Sequence, residues 1–375
     1  MSVNKPVQLG LCCLNTQLRA QKPPVFASRK MIIRSVEEQG IEALQSKILQ
    51  NLRDVITMMH WNEKNGIKVF RLSSELFPHK SNPKVQNYTF AFAESLLKEI
   101  GELAKKYKQR LTFHPGQYNV VGTPSKAAFE QTCCDLKYHA DVLDRCYLDG
   151  MNPVMVVHGG GIYGDKQATL QRWCDQYQLL PENVRKYLVL ENCEKCFSIE
   201  DCLWVSERVN IPVVFDTHHY ACYCQLHPEE KFEPAGHYIP AILATWKRRG
   251  IKPKFHVSEQ GSGRVGHHSD FIEVIPDYLM EIPERFGVDI DIMIEAKMKE
   301  QAIAKLYDKY PQLNCKIDGT PVCAECEMPG AGWVHKNCKT CDCCDGDGPI
   351  NLALFKKKQP KKKIKKKKLV VVNSL

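Results

Sequence analysis

The sequence predicts an α/β protein built on a closed (β/α)8 barrel, the TIM-barrel architecture. Three observations predict this fold. Eight short apolar runs recur along roughly the first 300 residues, a length that suits such a barrel. Amphipathic segments separate these runs. No glycine-rich GxGxxG turn follows the first run, as it would in an open dinucleotide-binding sheet.

The runs are apolar almost throughout, which is typical of parallel strands covered by helices on their outer face. The segments between them, such as residues 41–66 and 91–110, place apolar residues at three- and four-residue spacing and charges elsewhere. The eight predicted strands cover residues 8–14, 67–73, 110–114, 153–158, 187–191, 211–216, 253–258 and 289–295.

Five of the predicted strands end on a residue of a type that binds metal ions. Parallel strands of a barrel end at one face, so we expect these side chains to converge there. A single histidine at a strand end also fits a hydrogen-bonded structural role, but several unpaired buried charges would be costly. With three further residues close to strand ends, the candidate metal ligands are His114, His158, Glu191, Asp216, His219, His256, His268 and Glu295.

Imidazole and carboxylate donors together suit Mn²⁺, Zn²⁺ or Fe²⁺. Eight such groups exceed the roughly four to six ligands that one ion takes. We therefore expect two or three divalent ions, with Mn²⁺ favoured and Zn²⁺, Fe²⁺ or Mg²⁺ as alternatives. Clusters of this kind hydrolyse phosphate esters, because one ion activates water while its neighbours neutralise charge. The ligand pattern alone does not name the substrate.

The positive charge of the chain is concentrated at one end. Ten lysines lie between Lys356 and Lys368, and without them the net charge of +9 becomes −1. We predict three regions, namely a barrel domain over residues 1–312, a Cys-rich appendage over 313–348 and a disordered lysine-rich tail over 349–375. The tail could neutralise DNA phosphates or serve as a nuclear targeting signal.

The appendage contains two C-x-x-C pairs separated by eleven residues. Thiolates at this spacing predict a tetrahedral structural Zn²⁺ site, and the alternative is a Cys-rich linker that binds no metal. The predicted zinc ligands are Cys323, Cys326, Cys338 and Cys341.

Composition limits the compartment and the class of protein. No stretch approaches the roughly 20 apolar residues of a membrane span, and the N-terminus lacks a signal-peptide core. The 18 cysteines then indicate reduced thiols or metal ligands rather than a disulfide framework. We expect a monomeric intracellular protein without a membrane partner, nuclear if the tail acts as a targeting signal and otherwise cytoplasmic.

Six ordered motifs carry a family resemblance. They are HPGQY from residue 114, LEN from 190, the D-x-x-H of Asp216 and His219, K-x-H from 254, HSD from 268 and IEAK from 294. With these motifs, residues 7–300 resemble the UV damage endonuclease family, whose metal-dependent barrel is related to endonuclease IV and which nicks damaged double-stranded DNA on the 5′ side of a lesion. The resemblance implies that the eight strand-end residues bind the metal ions, and that Glu191, Lys254 and Glu295 are catalytic.

The resemblance also implies roles for residues around the metal site. Gln117 and Tyr118 would enter the duplex at the lesion, and Asn15 would contact the flipped-out bases. Lys254 would lie among cations that repel an ammonium group, so we expect either a carbamylated side chain or a lysine paired to Glu191 or Asp216.

The sequence departs from the family pattern in one place. Asn82 stands where members often carry a ligand histidine, so either His79 substitutes for it or one ion loses a ligand. His218 and His267, which neighbour matched residues, are weaker ligand candidates.

Two other functions are compatible with parts of the sequence. Sugar isomerases and epimerases of the same barrel class also carry strand-end acids and histidines around one or two divalent ions. A non-catalytic DNA-binding protein would account for the basic tail and the Cys pairs, but it has no need of eight metal-type residues. A DNA-repair endonuclease accounts for all of these features.

Overall fold

The computed structural model describes residues 4–85 and 88–316. Eight parallel strands form a closed barrel in sequence order, and β1 pairs with β8 to close it. Every predicted strand is confirmed. The strands are β1 (Val7–Cys12), β2 (Val69–Arg71), β3 (Arg110–Phe113), β4 (Val154–His158), β5 (Leu188–Glu191), β6 (Val213–Asp216), β7 (Lys254–Val257) and β8 (Ile290–Ile294).

Helices surround the barrel, and the two amphipathic segments singled out in the sequence form α3 and α4. The described α-helices are α1 (Thr16–Arg19), α2 (Ile33–Gln39), α3 (Ile41–Lys64), α4 (Glu94–Tyr107), α5 (Lys126–Arg145), α6 (Lys166–Leu179), α7 (Glu182–Tyr187), α8 (Ile199–Val209), α9 (Thr217–Leu226), α10 (Ile239–Arg249), α11 (Asp277–Met280), α12 (Ile282–Phe286) and α13 (Glu300–Lys309). Short 3-10 turns lie at Ala91–Ala93, Ala235–Tyr238 and Pro311–Leu313.

A proline directly precedes the first residue of three strands. Pro153, Pro212 and Pro253 immediately precede β4, β6 and β7. Proline has no backbone N–H to donate to a neighbouring strand, so the hydrogen-bonded ladder begins one residue later. The predicted runs therefore start one or two residues before the strands.

Alternate residues of each strand face the barrel interior and the helical layer. In β7, Phe255 and Val257 are buried in the core between strands and helices. Lys254 and His256 therefore point into the barrel. A separate small apolar cluster is formed by Cys12, Val69 and Met293, and Met293 is paired with His256 in the sheet.

An ion-pair cluster occupies the opposite end of the barrel. Arg110, the first residue of β3, donates from Nη1 to Asp291 Oδ2 at 2.8 Å, and Lys252 Nζ lies 2.6 Å from Asp291 Oδ1. Arg110 and Asp291 are buried, so each charge needs its partner. We infer that the residues at this end of the barrel stabilise the fold and take no part in catalysis.

The predicted zinc ligands and the basic tail lie outside the described residues. The zinc site, the regional boundaries and the targeting signal therefore stay predictions. Among residues 4–85 and 88–316, no helix combines the length and apolar character that crossing a membrane requires.

We predict that Gly101→Ala destabilises the barrel by about 1–3 kcal/mol through overpacking. A Cβ on Gly101 in α4 would overlap the backbone carbonyl oxygen of Cys146, which cannot move away freely. Without that overlap, alanine would stabilise the helix by about 1 kcal/mol. Urea unfolding measures the change, with the exposed Glu99→Ala on the same helix as the control. A neutral or stabilising Gly101→Ala would contradict the packing of α4 on the end of α5.

Candidate active site

The strand-end residues meet at one face of the barrel, as the sequence predicted. His158, Glu191 and Asp216 are the last residues of β4, β5 and β6, while His114 and Glu295 directly follow β3 and β8. Neighbouring strands bring their side chains together because His158 is paired with Glu191 in the sheet, and Asp216 with His256.

Glu191 lies at the centre of the cluster and is completely buried. His114 Nε2 and His158 Nε2 lie 3.0 and 3.1 Å from Glu191 Oε2, and His256 Nδ1 donates to Glu191 Oε1 at 2.6 Å. Despite these short distances, neither Glu191 Oε2 nor His158 Nε2 makes a hydrogen bond of acceptable geometry. Their lone pairs converge on shared space, as the ligand atoms of an ion do.

Asp216 and His219 form one side of the cluster. Asp216 caps the N-terminus of α9, where its Oδ1 accepts from the backbone N–H groups of His218 and His219, each at 2.8 Å. This cap leaves Asp216 Oδ2 buried without a hydrogen-bond partner. His219 Nδ1 lies 3.7 Å from Glu191 Oε1 and 4.0 Å from Asp216 Oδ2. Helix capping therefore orients one oxygen and frees the other.

Asn192 forms hydrogen bonds with two of the candidate ligands, Asp216 and His219. Its Oδ1 accepts from the Asp216 N–H at 2.8 Å, and its Nδ2 donates to the Asp216 carbonyl at 3.1 Å. The Asn192 carbonyl accepts from His219 Nδ1 at 2.9 Å. The residue after Glu191 thus ties the end of β5 to the end of β6, which sets the orientation of the His219 ring.

Glu295 forms the other side of the cluster. Its Oε1 lies 3.3 Å from His256 Nδ1 and accepts from the Arg71 guanidinium, while its Oε2 lies 3.9 Å from His268 Nδ1. Arg71 and Glu295 are mostly buried. The arginine therefore compensates part of the negative charge of this carboxylate.

Three overlapping groups of residues could each hold an ion. Within each group, the potential ligand atoms lie within 4.8 Å of one another. The unpartnered oxygens of Glu191 and Asp216 and the mixture of imidazoles and carboxylates fit divalent cations of the Mn²⁺, Zn²⁺ and Fe²⁺ class. The groups are His114, His256 and Glu295; His114, His158 and Glu191; and Glu191, Asp216 and His219.

The pKa values of these groups reflect the crowding of charge. Burial alone would raise the pKa of the Glu191 carboxyl, but His256 and His158 lower that pKa well below its ordinary value. Burial raises the pKa of the Asp216 carboxyl. Burial acts to lower the pKa of His219, but Asp216 and then Glu191 raise it to about 10. Nearby positive charge therefore stabilises the buried carboxylates, and either protons or metal cations can supply it.

Lys254 lies on the floor of the cluster and is completely buried. Its Nζ donates to His256 Nε2, and no ion pair joins it to an acid among the described residues. Burial, followed by the nearby charge of Arg71, lowers the pKa of Lys254 to about 7. The predicted alternative of an ion pair between Lys254 and Glu191 or Asp216 is therefore not found.

The cluster lies at the base of an open pocket of about 620 Å³. Gln117 and Tyr118 stand on its rim, on the loop after β3, and the Tyr118 side chain is 85% exposed. The base of this loop is anchored, because Asn119 Nδ2 donates to Asp135 Oδ2 at 2.7 Å. The loop therefore presents an amide and an aromatic ring to solvent from a fixed base.

The loops around the pocket are in close contact at two glycines. A Cβ on Gly159 would overlap the ring of Phe197, and a Cβ on Gly160 would overlap Val120. Gly160 also has a φ of +93°, which side chains rarely adopt. The loop after β4 consequently packs directly on the loops after β3 and β5.

Some sequence candidates lie away from the cluster. Asn15 is buried and caps α1 by accepting the Leu18 N–H at 2.8 Å, and its contact with DNA bases stays a prediction. His79 Nε2 is 2.5 Å from the carbonyl oxygen of Met31, and its Nδ1 is 3.4 Å from Asn82 Nδ2. His79 belongs to no group of potential His, Cys, Asp and Glu metal ligands formed by described residues.

The weaker histidine candidates have other partners. His218 Nε2 lies 3.1 Å from Gln260 Oε1, and His267 Nε2 accepts from Arg264 Nε at 3.1 Å. The sequence analysis assigned no chemical role to Arg71. Like the acids, Arg71 is a charged residue at the end of an apolar run, and this position could have identified it. It also missed Cys193 and Cys196, which line the pocket.

Comparison with known proteins assigns the family. The sequence profile described as UV-endonuclease UvdE matches residues 7–324. The crystal structure of SacUVDE superposes with a TM-score of 0.69 and 29% identity, and the match covers 82% of this chain and all of that one.

Relatives from several kinds of organism agree. A UV-damage endonuclease homologue of Acanthamoeba polyphaga mimivirus is 39% identical, with 84% of this chain and 94% of that protein covered. The UV-damage endonuclease of Schizosaccharomyces pombe is 37% identical over 83% of this chain, which spans only 53% of the fungal protein. The UV DNA damage endonuclease of Bacillus velezensis is 33% identical, with 72% and 82% covered. This chain therefore belongs to the UV-endonuclease UvdE family, a family of DNA-repair endonucleases.

Proposed function

We propose that this chain recognises UV photoproducts and other helix-distorting or abasic lesions in double-stranded DNA and hydrolyses the phosphodiester on their 5′ side. The observation that carries the proposal is the combination, in one open pocket, of overlapping metal-ligand groups with an exposed aromatic rim. Family membership supports DNA as the substrate.

The overlap of the ligand groups favours two or three divalent cations rather than one. His114 belongs to two groups and Glu191 belongs to two, so neighbouring ions would share ligands. His268, 3.9 Å from Glu295, would complete the coordination on the Glu295 side. Mn²⁺ is the ion that we favour, with Zn²⁺, Fe²⁺ or Mg²⁺ as alternatives.

Bound divalent cations would polarise water and neutralise the charge of the phosphodiester. The protein contributes the arrangement around them. Asn192 fixes Asp216 and His219, and Arg71 holds Glu295 in one orientation. Arg71 also lines the pocket, where its remaining N–H groups can bind a phosphate oxygen.

The rim supplies the recognition of damage. Gln117 and Tyr118 are exposed beside the pocket and offer a hydrogen-bonding amide and a stacking ring. A distorted or unpaired step costs less to open than a regular base pair, so side chains of this kind insert preferentially at lesions.

Lys254 in its carbamylated form would add a carboxylate-like ligand to the site. The Lys254 amine is buried, faces an imidazole and lacks an acidic partner. Bound cations would repel its ammonium form, which favours a modified side chain. The modification replaces a positive charge on the floor of the cluster with a negative one.

We predict that Glu191→Gln lowers nicking of UV-irradiated plasmid by more than about 100-fold, since loss of even an outer-shell partner of a metal ligand costs up to about that factor. Removal of metal with EDTA should abolish nicking, and Mn²⁺ should restore it in the parent protein but not in the variant. Glu229→Gln, on an exposed acidic group, is the matched control. Equal loss of nicking and of DNA binding in Glu191→Gln would indicate misfolding instead of lost chemistry.

We predict that Tyr118→Ala weakens binding to lesion-containing duplexes by about 5- to 150-fold, because stacking of one base on an aromatic ring contributes about 1–3 kcal/mol. Binding to undamaged duplex should change little. Fluorescence anisotropy with matched duplexes measures both affinities. Tyr147→Ala, which removes a tyrosine exposed outside the pocket, serves as control. A loss that is equal on damaged and undamaged DNA would count against lesion sensing.

We predict that native mass spectrometry finds an adduct of about 44 Da that acid removes, as expected for a lysine carbamate. Lys254→Gln should lack the adduct, whereas the exposed Lys247→Gln should retain it. An unmodified mass for freshly purified parent protein in bicarbonate buffer would refute carbamylation.

A further inference from the structure

Two cysteines occupy the loop between Glu191 and α8. Cys193 and Cys196 both line the candidate active-site pocket. Cys193 is 6% exposed, and Cys196 is half-buried. Cys193 Sγ accepts from the backbone N–H groups of Cys196 and Phe197 at 3.3 and 3.2 Å, which places this sulfur beside the backbone of Cys196.

The spacing of the pair distinguishes it from the other thiols. Among the cysteines of the described residues, only Cys193 and Cys196 are separated by two residues, and both are free thiols. A C-x-x-C pair in the turn between a strand and a helix is the arrangement of dithiol redox motifs. Because Cys193 Sγ lies 3.3 Å from the backbone nitrogen of Cys196, a disulfide between the two residues needs only a local change of the Cys196 side chain.

We propose that Cys193 and Cys196 are an oxidation site that closes into an intramolecular disulfide by exchange with a small disulfide such as oxidised glutathione, and that closure weakens metal binding in the pocket. The proposal concerns the loop that follows β5. Its second half rests on the proposed metal site, whereas disulfide formation does not.

The exchange balances in two steps. The more accessible Cys196 attacks one sulfur of oxidised glutathione, which forms a mixed disulfide and releases one glutathione thiolate. Cys193 then attacks the Cys196 sulfur of the mixed disulfide and releases the second glutathione. Two protein thiols are oxidised, one glutathione disulfide is reduced to two thiols, and the two thiol protons pass to the thiolates or to solvent.

The environment favours Cys196 as the attacking thiol. Cys196 is half-buried whereas Cys193 is only 6% exposed, so an incoming disulfide reaches the Cys196 sulfur first. The backbone N–H groups that reach Cys193 keep that sulfur close by. Cys196 is therefore suited to attack the small disulfide, and Cys193 is suited to resolve the mixed disulfide.

The loop connects the thiols to the candidate ligands. Asn192, adjacent to Cys193, holds Asp216 and His219 through three hydrogen bonds, and Glu191 is the next residue back. A disulfide at Cys193 would change the acceptor of two backbone N–H groups and shift Asn192. A shift at such an outer-shell residue would lower metal affinity by about 10- to 100-fold.

Trypsin provides a direct assay, because Lys195 lies between the two cysteines. The full-length protein is equilibrated over a series of glutathione redox buffers, alkylated and digested without reduction. Oxidised protein should yield peptide 187–195 linked to peptide 196–208, whereas reduced protein should yield the two separately. Mn²⁺ affinity of each sample is then measured by titration of the desalted protein.

Cys196→Ser should give no linked peptide and an Mn²⁺ affinity independent of the redox buffer. Cys134→Ser, which removes an exposed thiol of α5, should behave as the parent protein does. Absence of the linked peptide at every glutathione ratio would overturn the oxidation site. A linked peptide without a change in Mn²⁺ affinity would overturn the effect on metal binding. Neither readout requires nicking, so failure of the endonuclease proposal would be recognised separately.

Discussion

The structure depends on the burial of three carboxylates, those of Glu191, Asp216 and Glu295, at one end of a closed barrel. Charged groups that have left water need compensation at short range, and here it comes from imidazoles, from Arg71 and from a helix N-terminus. Two of their oxygens, Glu191 Oε2 and Asp216 Oδ2, still lack a hydrogen-bond partner. The scaffold thus concentrates negative charge that its own groups balance only in part, which is the condition under which a polar cluster binds cations.

Chemistry and recognition are assigned to different layers of the fold. The candidate ligands lie on or next to strands, whose positions are fixed by hydrogen bonds on both sides of every strand in the barrel. Tyr118, by contrast, is exposed on a loop. This division follows the general design of barrel enzymes, in which a rigid sheet positions reactive groups and the loops meet the substrate.

The sequence predicted what the strand pattern determines. Eight apolar runs located all eight strands, and their final residues located His158, Glu191 and Asp216 at a common face. Contacts that depend on loop conformation were beyond its reach. The burial of Asn15, the contact of His79 with Met31 and the thiol pair after β5 each arise from turns whose path no periodicity encodes. Proline explains the small errors at the starts of β4, β6 and β7, since a residue without an N–H cannot begin the ladder.

The glycine contacts around the pocket also matter for protein engineering. Gly159 fits against Phe197 and Gly160 against Val120, so three successive loops interlock through backbone that has no room for a side chain. A chimaera that receives only one of these loops from a relative would place a foreign surface against this contact. The loops after β3, β4 and β5 are therefore better exchanged together than singly.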